Sequence, residues 1–392
     1  MTKLLYIDRP FQGEKGGDKN RSKFIWKALI ENFEVDLLLL QDYKSPDYQY
    51  QKHVGQKNFF ELSTIKPGLR RPEAIMNFSE AEKIKFRAIL EENNYDVIFI
   101  RFAAPARLAD IAAGILLKAK IIFDIDMLMS RLTKLSWQLK PTFINRYFFI
   151  QNRKFIRYEK ELFNKPYLFL FTNYLEKEMA LKNSVSSIST SKLDVLPNVM
   201  QANDYQLPDE KQNYILFFGT LNSAANTDAF DFLADEIYPL IAEKLTANNM
   251  IIKVVGRHQT AVIEAKSAKL DQINLVGEVD DIDREIANSL FAVLPIRIAS
   301  GTRTRILEAA NLKTAVLSTT IGAEGFEFNQ AEIIIADDTK AFAEAIIRLI
   351  EQPELVKEMG ENLLKKSYEK YLDTAVAQNL VDQINSWKPQ RS

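Results

Sequence analysis

Arg303 and Arg305 fall in the first turn of a helix that the sequence predicts to begin near Gly301, within LPIRIASGTRTRILEAANLKTAVLSTTIGAEGF, residues 294–326. Unpaired N–H groups and aligned peptide dipoles leave partial positive charge at a helix start, so a cation there is disfavoured by ~0.3–1 kcal/mol. Two arginines at that position require a negative partner. A diphosphate would serve: Ser300, Gly301 and Thr302 are small enough for a phosphate to approach the backbone, and the two guanidinium groups add charge-assisted hydrogen bonds. Protein carboxylates at Glu308, Glu324 or Glu327 are the alternative partners. Glu308 follows Arg305 by three residues on one helical face, where it can pair with that arginine or accept hydrogen bonds from two vicinal hydroxyls.

Other residues with chemical potential are scattered. Asp124 and Asp126, in IIFDIDMLMSR, spell Asp-x-Asp and point to one side of a strand, which permits joint metal ligation in principle. A hydrogen-bonding or electrostatic role for Asp126, or a strand cap, is the preferred reading, with no metal. Gly16 and Gly17 sit between the first predicted strand and helix, where they allow close backbone approach or simply turn a surface loop. The Gly-x-Gly-x-x-Gly dinucleotide fingerprint is absent. His53 and His258 are the only histidines and lack metal-ligand spacing; Arg257, beside His258 at a strand end, is a further phosphate candidate.

The elements that must position these residues repeat one pattern. Short apolar runs near Leu4, Val35, Val97, Ile121, Tyr167 and Asp194 read as buried parallel strands, separated by helical segments such as 19–33 and 80–94. After a polar stretch the pattern restarts at Tyr214 and continues near Met250, Ile273, Phe291, Ala315 and Glu332. This predicts an α/β chain of two doubly wound, Rossmann-like domains: 1–198, a linker at 199–213, and 214–370. A C-terminal helix, 371–392, can pack back on the first domain. Ligands of such sheets lie beyond the carboxyl ends of the strands, so two facing sheets would bind substrates in an interdomain cleft.

Composition narrows the function classes. Lys plus Arg number 51 against 52 Asp plus Glu, which gives no argument for nucleic-acid binding. Cysteine is absent, so disulfides, thiolate metal sites and cysteine nucleophiles are excluded, as suits a cytoplasmic protein. The apolar runs are too short for a signal-peptide core or a membrane span. Residues 131–165 carry nine Lys/Arg and two glutamates among Trp, Tyr and Phe, so they are either a long helix with an aromatic core face or a surface for an anionic membrane.

The segment SGTRTRILEAANLKTAVLSTTIGAEGF resembles the donor-site signature of glycosyltransferase family 4, the group 1 glycosyl transferases, which are retaining enzymes of the GT-B fold. FFGTLNSAANTDAFDFL, KVVGRH, LVGEVDDI and VLPNV are similar to further family segments in the same order. The resemblance implies that Glu308 binds the donor ribose, that Gly301 to Arg303 line the diphosphate with Arg305, Gly219 and Arg257 nearby, and that Val279 lines the base. Ser300 stands where many members carry a sugar-binding glutamate, and Arg305 where Lys is usual. Asp126 stands about where a histidine often lies near the reacting carbon, and Gly16 and Gly17 match the loop where acceptor and donor meet.

The function so implied is metal-independent transfer of a hexosyl group from a nucleoside diphosphate sugar to a saccharide or lipid-linked acceptor, in bacterial surface polysaccharide assembly. Asp126 and Arg303 are the catalytic candidates, no cofactor is needed, and the inner membrane surface is a candidate partner. A non-catalytic nucleotide-binding subunit and a nucleotide-sugar epimerase of the same fold are the alternatives.

Overall fold

The structure, a computed structural model, describes residues 1–10, 17–42, 58–66, 72, 74–139, 145–183, 192–202 and 205–388; Gly16 and His53 lie outside them. The chain divides into two units, 1–198 with 373–392, and 199–372.

Unit 1 alternates strands and helices: β1 (Lys3–Asp8), α1 (Gly17–Asn32), β2 (Glu34–Gln41), β3 (Phe59–Ser63), α2 (Glu80–Asn93), β4 (Val97–Arg101), α3 (Ala106–Ile115), β5 (Lys120–Ile125), α4 (Met129–Leu139), α5 (Asn145–Phe163), β6 (Leu168–Phe171), α6 (Tyr174–Asn183) and β7 (Leu193–Val195). The sheet order is β3-β2-β1-β4-β5-β6-β7, and every adjacent pair is parallel. Central strands such as β4 are buried along their whole length, which is why they read as continuous apolar runs. Local chemistry sets the helix ends. Ser79 accepts a hydrogen bond from the Glu82 N–H at 3.2 Å to start α2, and Asn94, at φ 49°, closes it in the left-handed region.

Unit 2 repeats the pattern with β8 (Gln212–Phe218), α7 (Ala224–Asp231), α8 (Tyr238–Ala247), β9 (Ile251–Val255), α9 (Ala261–Ser267), β10 (Ile273–Gly277), α10 (Ile282–Asn288), β11 (Ser289–Leu294), α11 (Thr304–Asn311), β12 (Ala315–Ser318), α12 (Thr320–Ala323), β13 (Ile333–Ile335), α13 (Thr339–Glu351) and α14 (Pro353–Tyr371). Its parallel sheet runs β10-β9-β8-β11-β12-β13. Phe217, Phe218, Phe230, Val254, Val293 and Leu317 are among the residues that fill its core. The last helix, α15 (Asp373–Ser386), belongs to unit 1. There Lys120 Nζ donates to the carbonyls of Ile384 and Asn385 at 2.7 and 2.8 Å, satisfying the open end of the helix.

Two features differ from the sequence expectation. Strand β3 pairs with β2 although its sequence, FFELS, lacks a continuous apolar run; an edge strand buries less of itself and so needs less apolar character. The stretch at 131–165 holds two helices, α4 and α5, rather than one, with Pro141, a poor helix-interior residue, between them in sequence.

Candidate active site

In unit 2 the order of strand addition reverses between β8 and β11, and in a doubly wound sheet the helices leaving two such strands diverge to opposite faces and open a crevice at their carboxyl ends. Gly219 ends β8 at φ +142°, with its N–H donating to the Val255 carbonyl at 3.0 Å. A Cβ there would lie 2.6 Å from Arg305 Nη1 and 2.9 Å from Asn226 Nδ2, so only glycine lets the guanidinium lie against this backbone. Arg305, from the first turn of α11, donates to the Phe218 carbonyl at the end of β8 and, through Nη2, to Asn226 Oδ1 on α7 at 2.8 Å. It therefore spans the crevice. The Asn226 amide is itself fixed by donating to the Thr220 carbonyl at 2.7 Å.

Both hydrogen-bond acceptors of Arg305 are neutral. Burial first, and the nearby charge of Arg303 second, lower its pKa to about 10 against the opposing pull of Glu308. Among the described residues no carboxylate forms a salt bridge with it, and Glu327, one of the alternative partners, is engaged by Lys370 at 3.0 Å. An enclosed cation held by uncharged groups attracts an anion more strongly than a solvated one does.

The neighbouring turn has the same bias. Ser300 is buried and its carbonyl accepts from Arg303 Nη2, Gly301 adopts φ +73°, and Thr302 is buried beside it. Arg303 occupies the cap position of α11 and makes no capping side-chain bond to the helix. By contrast, Ser223, Thr260, Asp281, Thr319 and Asp338 each accept a backbone N–H at the start of their own helices in this unit. Glu308 lies one turn into α11, its Oε1 3.4 Å from the Thr304 hydroxyl. The Arg257 carbonyl, just past β9, accepts from the Leu221 N–H at 2.9 Å, which brings that segment to the loop after β8. Val279 follows the outer strand β10 and packs on the core of the unit. Gly219 thus lies against Arg305, the Ser300–Arg303 turn leads into the same helix, and the backbone joins Arg257 to the loop after β8, with Val279 toward the sheet edge.

Replacing Gly219 by alanine tests this packing. The methyl group meets the Arg305 guanidinium and the backbone conformation disfavours a side chain, so stability should fall by about 1–3 kcal/mol. Binding of UDP, followed by its shift of the melting temperature, should weaken at least about tenfold; unchanged affinity would separate Gly219 from the anion site.

Unit 1 carries the other candidates. Asp124, on β5, is fully buried and receives Arg21 Nε at 3.0 Å, a second bond from Arg21 Nη2, and Arg101 Nη1. Arg21 also donates to the carbonyls of Leu196 and Pro197 at 2.8 and 3.0 Å and to Asn198 Oδ1 at 3.0 Å. Burial raises the pKa of the Asp124 carboxyl, but the two guanidinium groups more than offset this and hold it below the usual carboxylate range. Flanked by two cations, Asp124 is tied into ion pairs within unit 1. Among the described residues no group of three or more His, Asp or Glu could hold a metal ion.

Asp126, one residue past β5, has a carboxyl pushed up chiefly by burial and by Asp124, against the pull of Arg101 and Arg9. It lines a cavity of about 320 Å³ together with Arg9, Phe102, Met129 and Glu159. Phe102 adopts φ +68°, a conformation that costs a bulky residue about 1–3 kcal/mol. The guanidinium groups of Arg9 and Arg101 lie 4.0 and 4.3 Å from its ring centroid and help hold it there. Gly17 is the first residue of α1, and Gly16 lies outside the described residues.

Glu159 on α5 grips the turn that follows Asp126: its carboxyl accepts from the Ser130 N–H at 3.0 Å and from the Ser130 hydroxyl. Burial raises its pKa to about 7. The folded chain therefore keeps this proton while the unfolded chain loses it, and stability should fall as pH rises from about 4.5 to 7 and then level off, by up to about 3 kcal/mol from this group. Glu159→Gln should flatten that part of the melting profile. An unaltered profile would show that Glu159 titrates normally.

Residues 212–352 match the family described as Glycosyl transferases group 1. The match lies wholly within unit 2. The whole chain has the GT-B fold, with TM-scores of 0.68 to an Anabaena HepE structure in complex with UDP and glucose and 0.71 to the sucrose-phosphate synthase of Thermosynechococcus elongatus. Identities are 11% and 14%; the first match covers 99% of this chain and 100% of the other, the second 98% of each. A glycosyltransferase from Rickettsia africae matches at a TM-score of 0.67 and 14% identity over 98% of this chain and 99% of its own. No curated protein matches the chain at the sequence level.

Asn226, Arg9 and Glu159 were not legible as site residues in the sequence. Asn226 gains its role by touching Arg305 from another helix, Arg9 by stacking on a residue 93 positions away, and Glu159 by burial alone. Ser223, three residues before Asn226, marks a helix start and was the nearest available signal.

Proposed function

We propose that this GT-B protein is a retaining hexosyltransferase that moves a sugar from a nucleoside diphosphate sugar to a saccharide or lipid-linked acceptor, in bacterial surface polysaccharide assembly. The observation that carries the reading is Arg305, partly buried at the switch point of the unit that matches the group 1 glycosyl transferases, with neutral hydrogen-bond partners. The uncapped start of α11 and the charges of Arg303 and Arg305 would meet the negative charge that grows on the departing diphosphate, and Glu308 would hold the ribose hydroxyls. Arg257 and Val279 would flank the donor on the side of β9 and β10, with Val279 against the base.

In unit 1, Asp126 would accept a hydrogen bond from the acceptor hydroxyl, and Gly16 and Gly17 would border its entry. The leaving phosphate would take the acceptor proton, in a front-face reaction that needs no metal and no cofactor. HepE has been crystallised with UDP-glucose, which makes UDP-glucose the first donor to try. No described helix is long and apolar enough to cross a membrane. Exposed Trp137, Tyr147, Phe149 and Ile150, with exposed Arg146 and Arg153 on α5, suit peripheral binding at the cytoplasmic membrane face.

The donor is tested by a thermal-shift screen against UDP-, GDP- and dTDP-sugars, followed by product analysis with a saccharide and a lipid-linked acceptor panel. The reading predicts stabilisation by one donor and a product of retained anomeric configuration, with turnover undiminished by chelator. An epimerised donor sugar, or tight binding without turnover across the panel, would contradict it. Vesicle co-sedimentation tests the membrane role: binding to anionic vesicles should fall after Arg146, Arg153 and Lys154 are replaced by glutamine.

A further inference from the structure

The segment between β11 and α11 is braced from both sides, since its sheet neighbours are β12 and β8. On the β12 side the Thr319 hydroxyl donates to the Ile296 carbonyl. On the β8 side the next residue, Arg297, reaches α7. Its Nε and Nη2 each donate to Asp228 at 3.0 Å, a two-point grip on one carboxylate, and its Nη1 donates to Glu236 at 3.1 Å. Asp228 is buried, and Glu236 is itself anchored by the Thr339 hydroxyl at 3.0 Å. The guanidinium also lies 4.4 Å from the ring centroid of buried Phe232.

Asp228, Phe232 and Glu236 are spaced four apart in sequence. Four residues exceed one turn of an α-helix, so such a series drifts around the helix surface. Here the backbone from Phe232 to Ile237 is a π-helical turn between α7 and α8. Its wider turn brings Glu236 back into line with Phe232, and all three side chains meet one guanidinium. Turns of this kind are rare and concentrate at functional sites.

The same helix also grips the far side of the Ser300–Arg303 turn, because Asn226, two residues before Asp228, accepts from Arg305 at 2.8 Å. Helix α7 therefore holds the chain on both flanks of that turn, and the residues from Ile298 to Thr302 are buried between the two grips. Gly301, at φ +73°, gives the turn itself little stiffness, so its path must be set from its ends.

We propose that Arg297 is a positioning residue for the Ser300–Arg303 turn: clamped by Asp228 and Glu236, it sets the path of the backbone amides that meet the diphosphate, without touching the ligand. This rests on the reading that the diphosphate lies at the start of α11, and deepens it by adding the ion pair that holds the turn in its binding shape. A misplacement of roughly 1 Å in such a support can cost about a hundredfold in rate.

The two members of the pair carry opposite charges, which separates positioning from plain attraction. If Arg297 acted on the anion through its charge, Arg297→Lys would keep UDP binding, and Asp228→Asn, which removes a negative charge, would tighten it. Positioning predicts one direction for both: titration with UDP should show affinity about tenfold lower in each variant, because lysine lacks the fork and asparagine the charge that hold the pair together. Uridine, which has no diphosphate, should bind each variant within about twofold of the parent. The double variant Asp228→Asn/Arg297→Gln removes both charges together and guards against a single variant that fails to fold; it should show the same selective loss, smaller than the product of the two single losses.

Tighter UDP binding by Asp228→Asn, parental UDP binding by Arg297→Lys, or uridine affinity that falls as far as that of UDP would each overturn the proposal. A parent that bound UDP no better than uridine would overturn it together with the donor reading. The selective loss in a chain that transfers no sugar would count against the transferase reading alone and leave the positioning role standing.

Discussion

Replacing Arg305 by glutamine should weaken UDP binding about a hundredfold while leaving the melting temperature of the unliganded chain level or higher. Charge-assisted hydrogen bonds contribute roughly 1.5–3 kcal/mol each, and about 1.4 kcal/mol corresponds to a tenfold change in affinity. The opposite direction of the stability effect follows from the site itself. In the unliganded chain the guanidinium is enclosed with only the Phe218 carbonyl and Asn226 Oδ1 as hydrogen-bond partners, so its desolvation is poorly compensated. Glutamine removes that partly buried charge. Lysine at the same position keeps the charge but not the fork that reaches both β8 and α7, and should fall between the two. Calorimetric titration with UDP and a melting curve on the same samples check both halves of the expectation. If the glutamine variant bound UDP as the parent does, the cation would be structural.

Asp124→Asn should destabilise unit 1 by about 3–5 kcal/mol, the cost of leaving buried cations without their counter-charge. Arg21 loses its carboxylate, and Arg101 loses its near one and keeps the more distant Asp8, 3.8 Å away. The damage would spread beyond the strand, since Arg21 also ties α1 to Leu196, Pro197 and Asn198. For a unit of this size the loss corresponds to a fall of roughly 10 °C in its melting transition.

The pH dependence has a defined sign. A carboxyl held below its usual range contributes stability that is present above the unfolded pKa and lost as the solution is acidified, so the asparagine variant should show a smaller acid-induced decline than the parent. UDP binding, which the proposed function assigns to unit 2, should survive the substitution. Preserved melting would mean that the two arginines find other partners.

The architecture was legible because buried parallel strands leave uninterrupted apolar runs, as β4 and β11 do. Strand β3 escaped since an edge strand with Glu61 in its middle has no such run. At the start of α11 two arginines singled out a segment of the sequence, because they break a local rule that protein partners do not obviously mend. What the spacing could not convey was that Arg305 reaches across to Phe218 and Asn226, 87 and 79 residues earlier in the chain. Asp124 and Asp126 illustrate the opposite case. Their spacing allowed one shared role, and the fold separated them, giving one to Arg21 and Arg101 and the other to the wall of a cavity.

A crystal structure of the chain with UDP is the most direct measurement. The pyrophosphate oxygens should lie within hydrogen-bonding distance of the Arg305 guanidinium and of the backbone amides between Ser300 and Arg303, with the ribose hydroxyls on Glu308. A pyrophosphate bound away from the start of α11, with Arg305 still turned to Phe218 and Asn226 alone, would contradict the account.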